Sequence, residues 1–302
     1  MAEARPQPET DDNAARGILW MVLGTLFISA MHSSIRHVSA GLPPFEITFF
    51  RNLFALVVVI PWLFRYGLAP FKTRRLKLLG LRAVINVVAM LCFFYALSIA
   101  PLTEVTALAF MAPIFATVFA VFILGERVGG RGWIAIGVGF AGALLILRPG
   151  FANVGLGEVL TLIASVLWAC VLLIIKTLSR TESSITITVY MSLLMAPLAL
   201  IPALFVWQWP TLDQLGWLAF IGLLGGCGQL TMTQALKEAP TNVVMPFDFL
   251  RLIWIAAISW FAFAEVPDLF TWLGGITIFV AGAYIANRER LRGKSGGKPA
   301  PV

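Results

Sequence analysis

Asp248 and Arg251 stand three positions apart within a long apolar run. On a helix that spacing puts both charges on one face, where they can neutralise each other or hold a polar solute between helices. Arg82 with Asn86, and Gln229 with Thr233, interrupt other apolar runs at a similar depth. Together these residues form an inner polar group. Its two readings are a substrate or gate site and a structural ion pair joining helices. Trp168 and Trp254 sit mid-run, where an indole can stack on a planar solute or pack against its neighbours. An outer group comprises His32, Arg51 and Glu104, with Arg36 and Glu46 close to helix ends, where long side chains can snorkel. Glu104 can face Arg51 across two helices. His32 can accept a proton at physiological pH, the point at which proton coupling would act, or can hydrogen-bond a neighbouring helix.

Signatures of enzymes are missing from this inventory. The two histidines, His32 and His37, are five apart, so no His-Glu-x-x-His zinc site can form. Gly293-Lys294-Ser295 imitates the end of a phosphate-binding loop, but Arg288 occupies the position of its first glycine. Cys92, Cys170 and Cys227 are odd in number, far apart and inside apolar stretches, which gives neither disulfide framework nor metal spacing. The expectation is no enzyme, no cofactor and no metal.

The elements that must position these groups follow from composition. Of 302 residues, 59% are hydrophobic and 12% charged, half the usual globular share of about 25%. A mean hydropathy of +0.89 belongs to a chain whose solvent is largely lipid. The first fifteen residues lack the basic start and apolar run of a signal peptide. Ten apolar runs are long enough to cross a bilayer as helices, near 17–38, 45–65, 78–99, 102–124, 131–148, 156–177, 184–207, 213–236, 242–264 and 268–287. Gly, Pro and polar residues mark the breaks. The fold class is therefore all-α and integral to a membrane. Trp62, Trp207, Trp209 and Trp217 near helix ends fit an aromatic belt. Seventeen of the 22 Lys and Arg fall on the side that holds both termini, which places the termini in the cytoplasm. The net charge of +7 needs no nucleic acid to explain it.

The chain also repeats itself. Ala96–Pro101 reappears as Ala235–Pro240, and the same offset of 139 positions pairs Phe110 with Phe249, Glu126 with Glu265 and Trp133 with Trp272. Upstream, an offset of 140 positions pairs Gly17 with Gly157 and Arg36 with Lys176. A unit of five spans is odd, so the second copy must enter the membrane in the opposite sense. Inverted repeats of this kind are a recurring design of secondary transporters. The organisation expected is a cytoplasmic tail over 1–16, a first repeat over 17–148, an extracytoplasmic linker over 149–155, a second repeat over 156–287 and a basic cytoplasmic tail over 288–302 that can touch anionic lipid. Glu126 and Glu265 read as repeat landmarks or gate ion pairs. The glycines of the fifth span (Gly132, Gly137, Gly139, Gly142) and Gly222 with Gly226 allow close helix contact.

Several of these segments resemble the drug/metabolite transporter superfamily in its ten-helix form with two EamA-type repeats. They are Phe50-Arg51-Asn52, Ala112-Pro113-Ile114-Phe115, Leu124-Gly125-Glu126-Arg127 with the Gly-rich fifth span, and Phe263-Ala264-Glu265 with the Gly-rich tenth. The resemblance covers nearly all of 17–287. It implies a central cavity lined by the first, third, fourth, sixth, eighth and ninth helices, with the fifth and tenth peripheral. One departure stands out: Arg251-Leu252 replaces the Ala112-Pro113 of the first repeat. The resemblance implies an inner-membrane secondary transporter of a small organic metabolite, with riboflavin-like vitamins, S-adenosylmethionine-like nucleosides and amino acids as the options. The competing class is an intramembrane enzyme or a non-transporting sensor on the same bundle. Expected partners are a small-molecule substrate and membrane lipid. The residues leave the direction of transport and the oligomeric state open.

Overall fold

The computed structural model describes residues 9–66, 73, 75–125, 130–148, 154–178, 181–182, 184–239 and 241–295. The first repeat comprises α1 (Glu9–Val38), α2 (Pro44–Tyr66), α3 (Leu76–Ile99), α4 (Leu102–Ala109), α5 (Ala112–Leu124) and α6 (Gly130–Leu147). The second comprises α7 (Leu156–Leu178), α8 (Ser184–Leu204), α9 (Leu212–Glu238), the single turn α10 (Thr241–Val244), α11 (Leu250–Phe263) and α12 (Leu269–Ser295). A 3-10 turn, Met245–Phe249, joins α10 to α11. Counting α4 with α5, and α10 with α11, as interrupted single passes gives ten, and no strand occurs among the described residues. Among the described residues six stretches meet the length and apolarity needed to cross a bilayer: Ala15–Val38, Leu76–Ile99, Leu102–Ile123, Gly130–Leu147, Leu156–Leu178 and Leu212–Glu238.

Three features differ from the sequence expectation. The fourth pass is broken rather than continuous, because the Pro113 ring excludes a helical bond to the Ala109 carbonyl. The Phe110 and Met111 amides reach back only three residues instead, to Ala107 and Leu108 at 3.2 and 3.0 Å. The ninth pass breaks at the pseudo-equivalent place, the 3-10 turn that ends at Phe249. The first and last helices also outrun the apolar stretch, beginning at Glu9 and ending at Ser295. Glu126 and most of 149–155 lie outside the described residues.

The repeat is visible in the helix ends. α3 stops at Ala100 and α9 at Ala239, both extended (φ −124° and −137°), since a residue before proline is driven out of the helical region. α5 and α11 end on left-handed residues 139 positions apart, Gly125 (φ 67°) and Ala264 (φ 55°). The inversion shows in a crosswise packing. Gly17, in α1 where the first repeat begins, lies against Ala239, while its repeat partner Gly157, at the start of α7, lies against Ala100. Each repeat thus begins against the Ala-Pro corner of the other, at opposite faces of the bundle.

Two apolar clusters hold the passes together. One joins α1, α2, α3, α4, α7, α8, α9 and α11 around Phe93, Leu97 and Met195. The other joins α4, α5, α6, α11 and α12 around Met111, Ile114 and Ile278. α6 and α12 meet at backbone distance: a Cβ on Gly142 would lie 2.8 Å from the Gly274 carbonyl oxygen. Gly139 also packs at a helix contact, against Ile114, whereas Gly137 has open space. Phe122 and its repeat partner Phe261 are 75% and 80% exposed, apolar surface suited to lipid rather than water.

Candidate functional site

The two helix breaks bring polar groups into the middle of the bundle. Asp248 lies in the 3-10 turn and Arg251 in the first turn of α11, and their Oδ2 and Nη2 atoms are 3.1 Å apart. The Arg251 guanidinium also rests 4.7 Å from the centre of the Phe110 ring, at the break in the fourth pass. Phe110 and Phe249, the repeat partners at the two breaks, lie 6.4 Å apart, centre to centre. The Ser29 hydroxyl of α1 donates to the Arg251 carbonyl at 3.2 Å.

His32 stands one turn along α1 from Ser29. Its ring meets Phe93 edge-on at 5.1 Å, and Phe93 in turn lies 5.0 Å from Trp168 of α7. Trp168 Nε1 donates to Asn86 Oδ1 at 3.1 Å. Asn86 and Arg82, one turn apart on α3, donate to Met195 and Met191, one turn apart on α8, each at 3.2 Å to sulfur. Arg82 also donates to the Ile187 carbonyl at 3.3 Å. These buried donors rest on weak thioether acceptors.

Arg51 enters from α2. Its Nη1 donates to Asn52 Oδ1 at 2.9 Å, and a Cβ on Gly225 of α9 would fall 2.9 Å from both Arg51 Nε and Met31 Sδ. Only glycine at 225 lets the guanidinium lie that close to the α9 backbone. Arg51 thus reaches α1 beside Met31, and Arg251 reaches it beside Ser29. Arg51 of the outer group and Arg251 of the inner group therefore both approach the 29–32 turn that carries His32.

Other residues stand elsewhere. Gln229 is exposed, and Thr233 turns its hydroxyl back to the Gln229 carbonyl at 2.7 Å, so neither joins this centre. Glu104 lies in the first turn of α4, whose Leu102 amide is taken by Glu265, and it forms no ion pair with Arg51 among the described residues. Trp254, one turn beyond Arg251, keeps its indole nitrogen buried.

Six buried polar atoms among these residues have no protein partner: His32 Nδ1, Arg51 Nε, Arg82 Nε, Asp248 Oδ1, Arg251 Nε and Trp254 Nε1. An unmet buried polar atom costs about 1–3 kcal/mol, so a set of six calls for a polar solute or water. At the face opposite the chain termini, Arg36 Nη2 binds Glu265 Oε1 at 3.1 Å and Nη1 binds the Leu97 and Ala100 carbonyls. Glu265 Oε2 accepts the Leu102 amide at 3.2 Å, at the positive end of α4. Beside it, Arg148 pairs with Asp268, whose Oδ1 caps α12 through the Thr271 amide and hydroxyl. The first network thus ties four ends of passes together there, and the second ties two more.

Sequence reasoning missed Asn52, Phe93, Phe110, Met191 and Met195. Asn52 was signalled by its place beside Arg51. The aromatic and methionine partners look like any other apolar residue until the packing is known.

Comparison with known proteins gives consistent results. A family model described as the EamA-like transporter family matches residues 15–148 and 155–287. The chain is 31% identical over 280 residues to a riboflavin transporter of Vibrio cholerae, covering 91% of this chain and 94% of the relative. It is 29% identical over 274 residues to an S-adenosylmethionine uptake transporter of Rickettsia bellii, covering 91% and 94%. It is 30% identical over 269 residues to a pseudopaline exporter of Pseudomonas aeruginosa, covering 88% and 94%. A solved crystal structure superposes with a TM-score of 0.60 at 16% identity, covering 94% of this chain and 99% of the other, and so shares the fold.

Proposed function

The chain belongs to the EamA-like transporter family, and from that premise we propose that it is an inner-membrane secondary carrier that moves a small organic metabolite by alternating access. The single observation that carries this reading is the set of unpartnered buried polar atoms, with Asp248 Oδ1 and Arg251 Nε placed where two pseudo-equivalent broken passes meet. Interrupted helices that face each other across an inverted repeat expose backbone and polar side chains at mid-membrane, where a solute can be held. Arg251, Asp248, Arg51, Asn86 and Trp168 are the residues proposed to line that place, with Trp254 and Arg82 at its edge. The distribution of basic residues supports both termini facing the cytoplasm.

Alternating access requires one face to close while the other opens. The Arg36–Glu265 and Arg148–Asp268 pairs are proposed as the lock on the extracytoplasmic face, and opening that face requires both to part. The relatives' names supply the solutes to try first: riboflavin and S-adenosylmethionine, with aromatic amino acids beside them.

The test is flux. Purified protein in liposomes should accumulate one labelled solute from this panel without ATP, faster than empty liposomes, and release it chemically unchanged. A solute recovered in altered form would overturn the reading in favour of an intramembrane enzyme. Tight binding with no flux in either direction would favour a sensor.

A further inference from the structure

The geometry points to Arg51 as the seat of a carboxylate-binding subsite, so that the preferred substrate of this carrier bears a carboxylate held where α1, α2 and α9 meet. This rests on the carrier reading and names its substrate class.

The charges at the centre of the bundle do not balance. Arg51, Arg82 and Arg251 supply three cations, and Asp248, already bound to Arg251, is the carboxylate that answers them. Among the described residues no carboxylate lies within ion-pair distance of Arg51 or Arg82. A cation held in a low-dielectric interior is costly unless an anion joins it. Arg82 has both Nη atoms engaged, with the Ile187 carbonyl and the Met191 sulfur. Arg51 has one side-chain acceptor, the neutral Asn52 amide, and its buried Nε is unpartnered.

The surroundings of Arg51 are built. Gly225 opens room for the guanidinium against α9, and Asn52, itself 4% exposed, fixes the Nη1 edge while bonding the Thr48 carbonyl at 2.8 Å. His32, 6% exposed and next to Met31 on α1, has an unpartnered Nδ1. A planar guanidinium with free N–H groups matches the two oxygens of a carboxylate in a way an ammonium does not. Beyond His32 the contacts continue through the buried Phe93 ring to Trp168, so the polar place is bounded on this side by packed aromatic rings. A neutral isostere leaves the guanidinium unanswered, and a site of that kind rejects it strongly.

The experiment uses the full chain in detergent and three ring probes of like size: benzoate, benzamide and phenyl phosphate. Benzoate at tenfold excess over its dissociation constant should raise the melting temperature by about 3 °C, with benzamide having no effect at the same concentration. Arg51→Gln should weaken benzoate at least tenfold, while Arg131→Gln, at an exposed position, should leave it unchanged. If Arg51→Gln does not fold, Arg51→Lys serves instead, because it keeps the charge, loses the fork and should bind benzoate about threefold to tenfold more weakly. No benzoate effect, an equal benzamide effect, or full benzoate affinity in the Arg51 variant overturns the subsite. Stronger stabilisation by phenyl phosphate than by benzoate overturns the carboxylate assignment. Benzoate binding with the expected pattern in a protein that shows no flux of any solute sustains the subsite and overturns the carrier reading.

Discussion

Arg36 and Glu265 are 229 positions apart in the chain and 3.1 Å apart in the bundle. The same carboxylate takes the first free amide of α4, at Leu102, so one side chain joins the end of α1, the start of α4 and the residue just past α11. Both partners are 23% exposed, a depth at which solvent screens the pair only in part. A pair of this kind contributes about 1 kcal/mol, enough to move a two-state equilibrium about fivefold.

The first prediction takes that estimate to the face opposite the termini. In a background lacking the three native cysteines, Ser33→Cys places a thiol one turn inside Arg36. Adding Glu265→Gln should raise its labelling rate by a membrane-impermeant maleimide about fivefold. Equal rates with and without Glu265→Gln would mean that the pair does not hold this face closed.

A second prediction concerns orientation. A phosphatase fused after Val302 should be inactive and a fluorescent protein fused there bright, as expected of a cytoplasmic C-terminus. The reverse pattern would exchange the two faces and with them the side on which the Arg36 lock lies.

The third concerns Asp248 and Arg251. If they only neutralise each other, Asp248→Asn with Arg251→Gln should transport better than either single variant, because each single change strands one charge. Asp248 Oδ1 and Arg251 Nε are both unpartnered, which favours a role toward the solute. The expected result is therefore a double variant no more active than the singles, at least tenfold below the parent, in protein that still unfolds cooperatively. A double-mutant cycle on transport rate, with melting followed in parallel, reads this directly.

Backbone strain gives a fourth. Ala264 holds a left-handed conformation (φ 55°) that its repeat partner reaches as Gly125 (φ 67°). Relieving the Cβ clash is worth about 1 kcal/mol. Ala264→Gly should raise the melting temperature by about 2 °C, and Gly125→Ala should lower it by a similar amount. Opposite signs at repeat-equivalent positions would be hard to obtain from anything but the backbone angle.

The ten passes, their order and the repeat were legible because each rests on local chemistry: apolar length, proline corners, and glycine or alanine after the last turn. The break in the fourth pass was signalled by Pro113, but the matching 3-10 turn in the ninth was not, since there the proline, Pro246, lies at the start of the turn instead of following the break. Asp248 with Arg251 and Trp168 with Asn86 were readable as polar groups on apolar helices. Gln229 and Thr233 looked the same by that criterion yet stand away from the centre, because hydropathy reports depth along a helix and says little about which neighbour a face meets. Arg51 was visible as a charge, but its place against Gly225 and beside Met31 depends on how α1, α2 and α9 cross.

The last prediction separates site from scaffold with two glycines. A methyl group on Gly225 meets Arg51 Nε and Met31 Sδ at 2.9 Å and Arg51 Nη2 at 3.1 Å, all on flexible side chains that can swing aside. A methyl group on Gly142 meets the Gly274 carbonyl oxygen at 2.8 Å and the Ile278 amide nitrogen at 3.0 Å, backbone atoms that can move only if α6 and α12 part. Gly225→Ala should therefore leave the melting temperature within about 2 °C of the parent, since a helical Gly→Ala gain offsets the cost of moving two side chains. Its transport should nevertheless fall at least tenfold, because Arg51 is displaced from the place where it would meet the solute. Gly142→Ala should do the reverse, lowering the melting temperature by several degrees, with transport per folded molecule falling less than in Gly225→Ala. Parallel losses of stability and transport in Gly225→Ala would reduce Arg51 to a packing residue and leave the centre of the bundle without its proposed anchor.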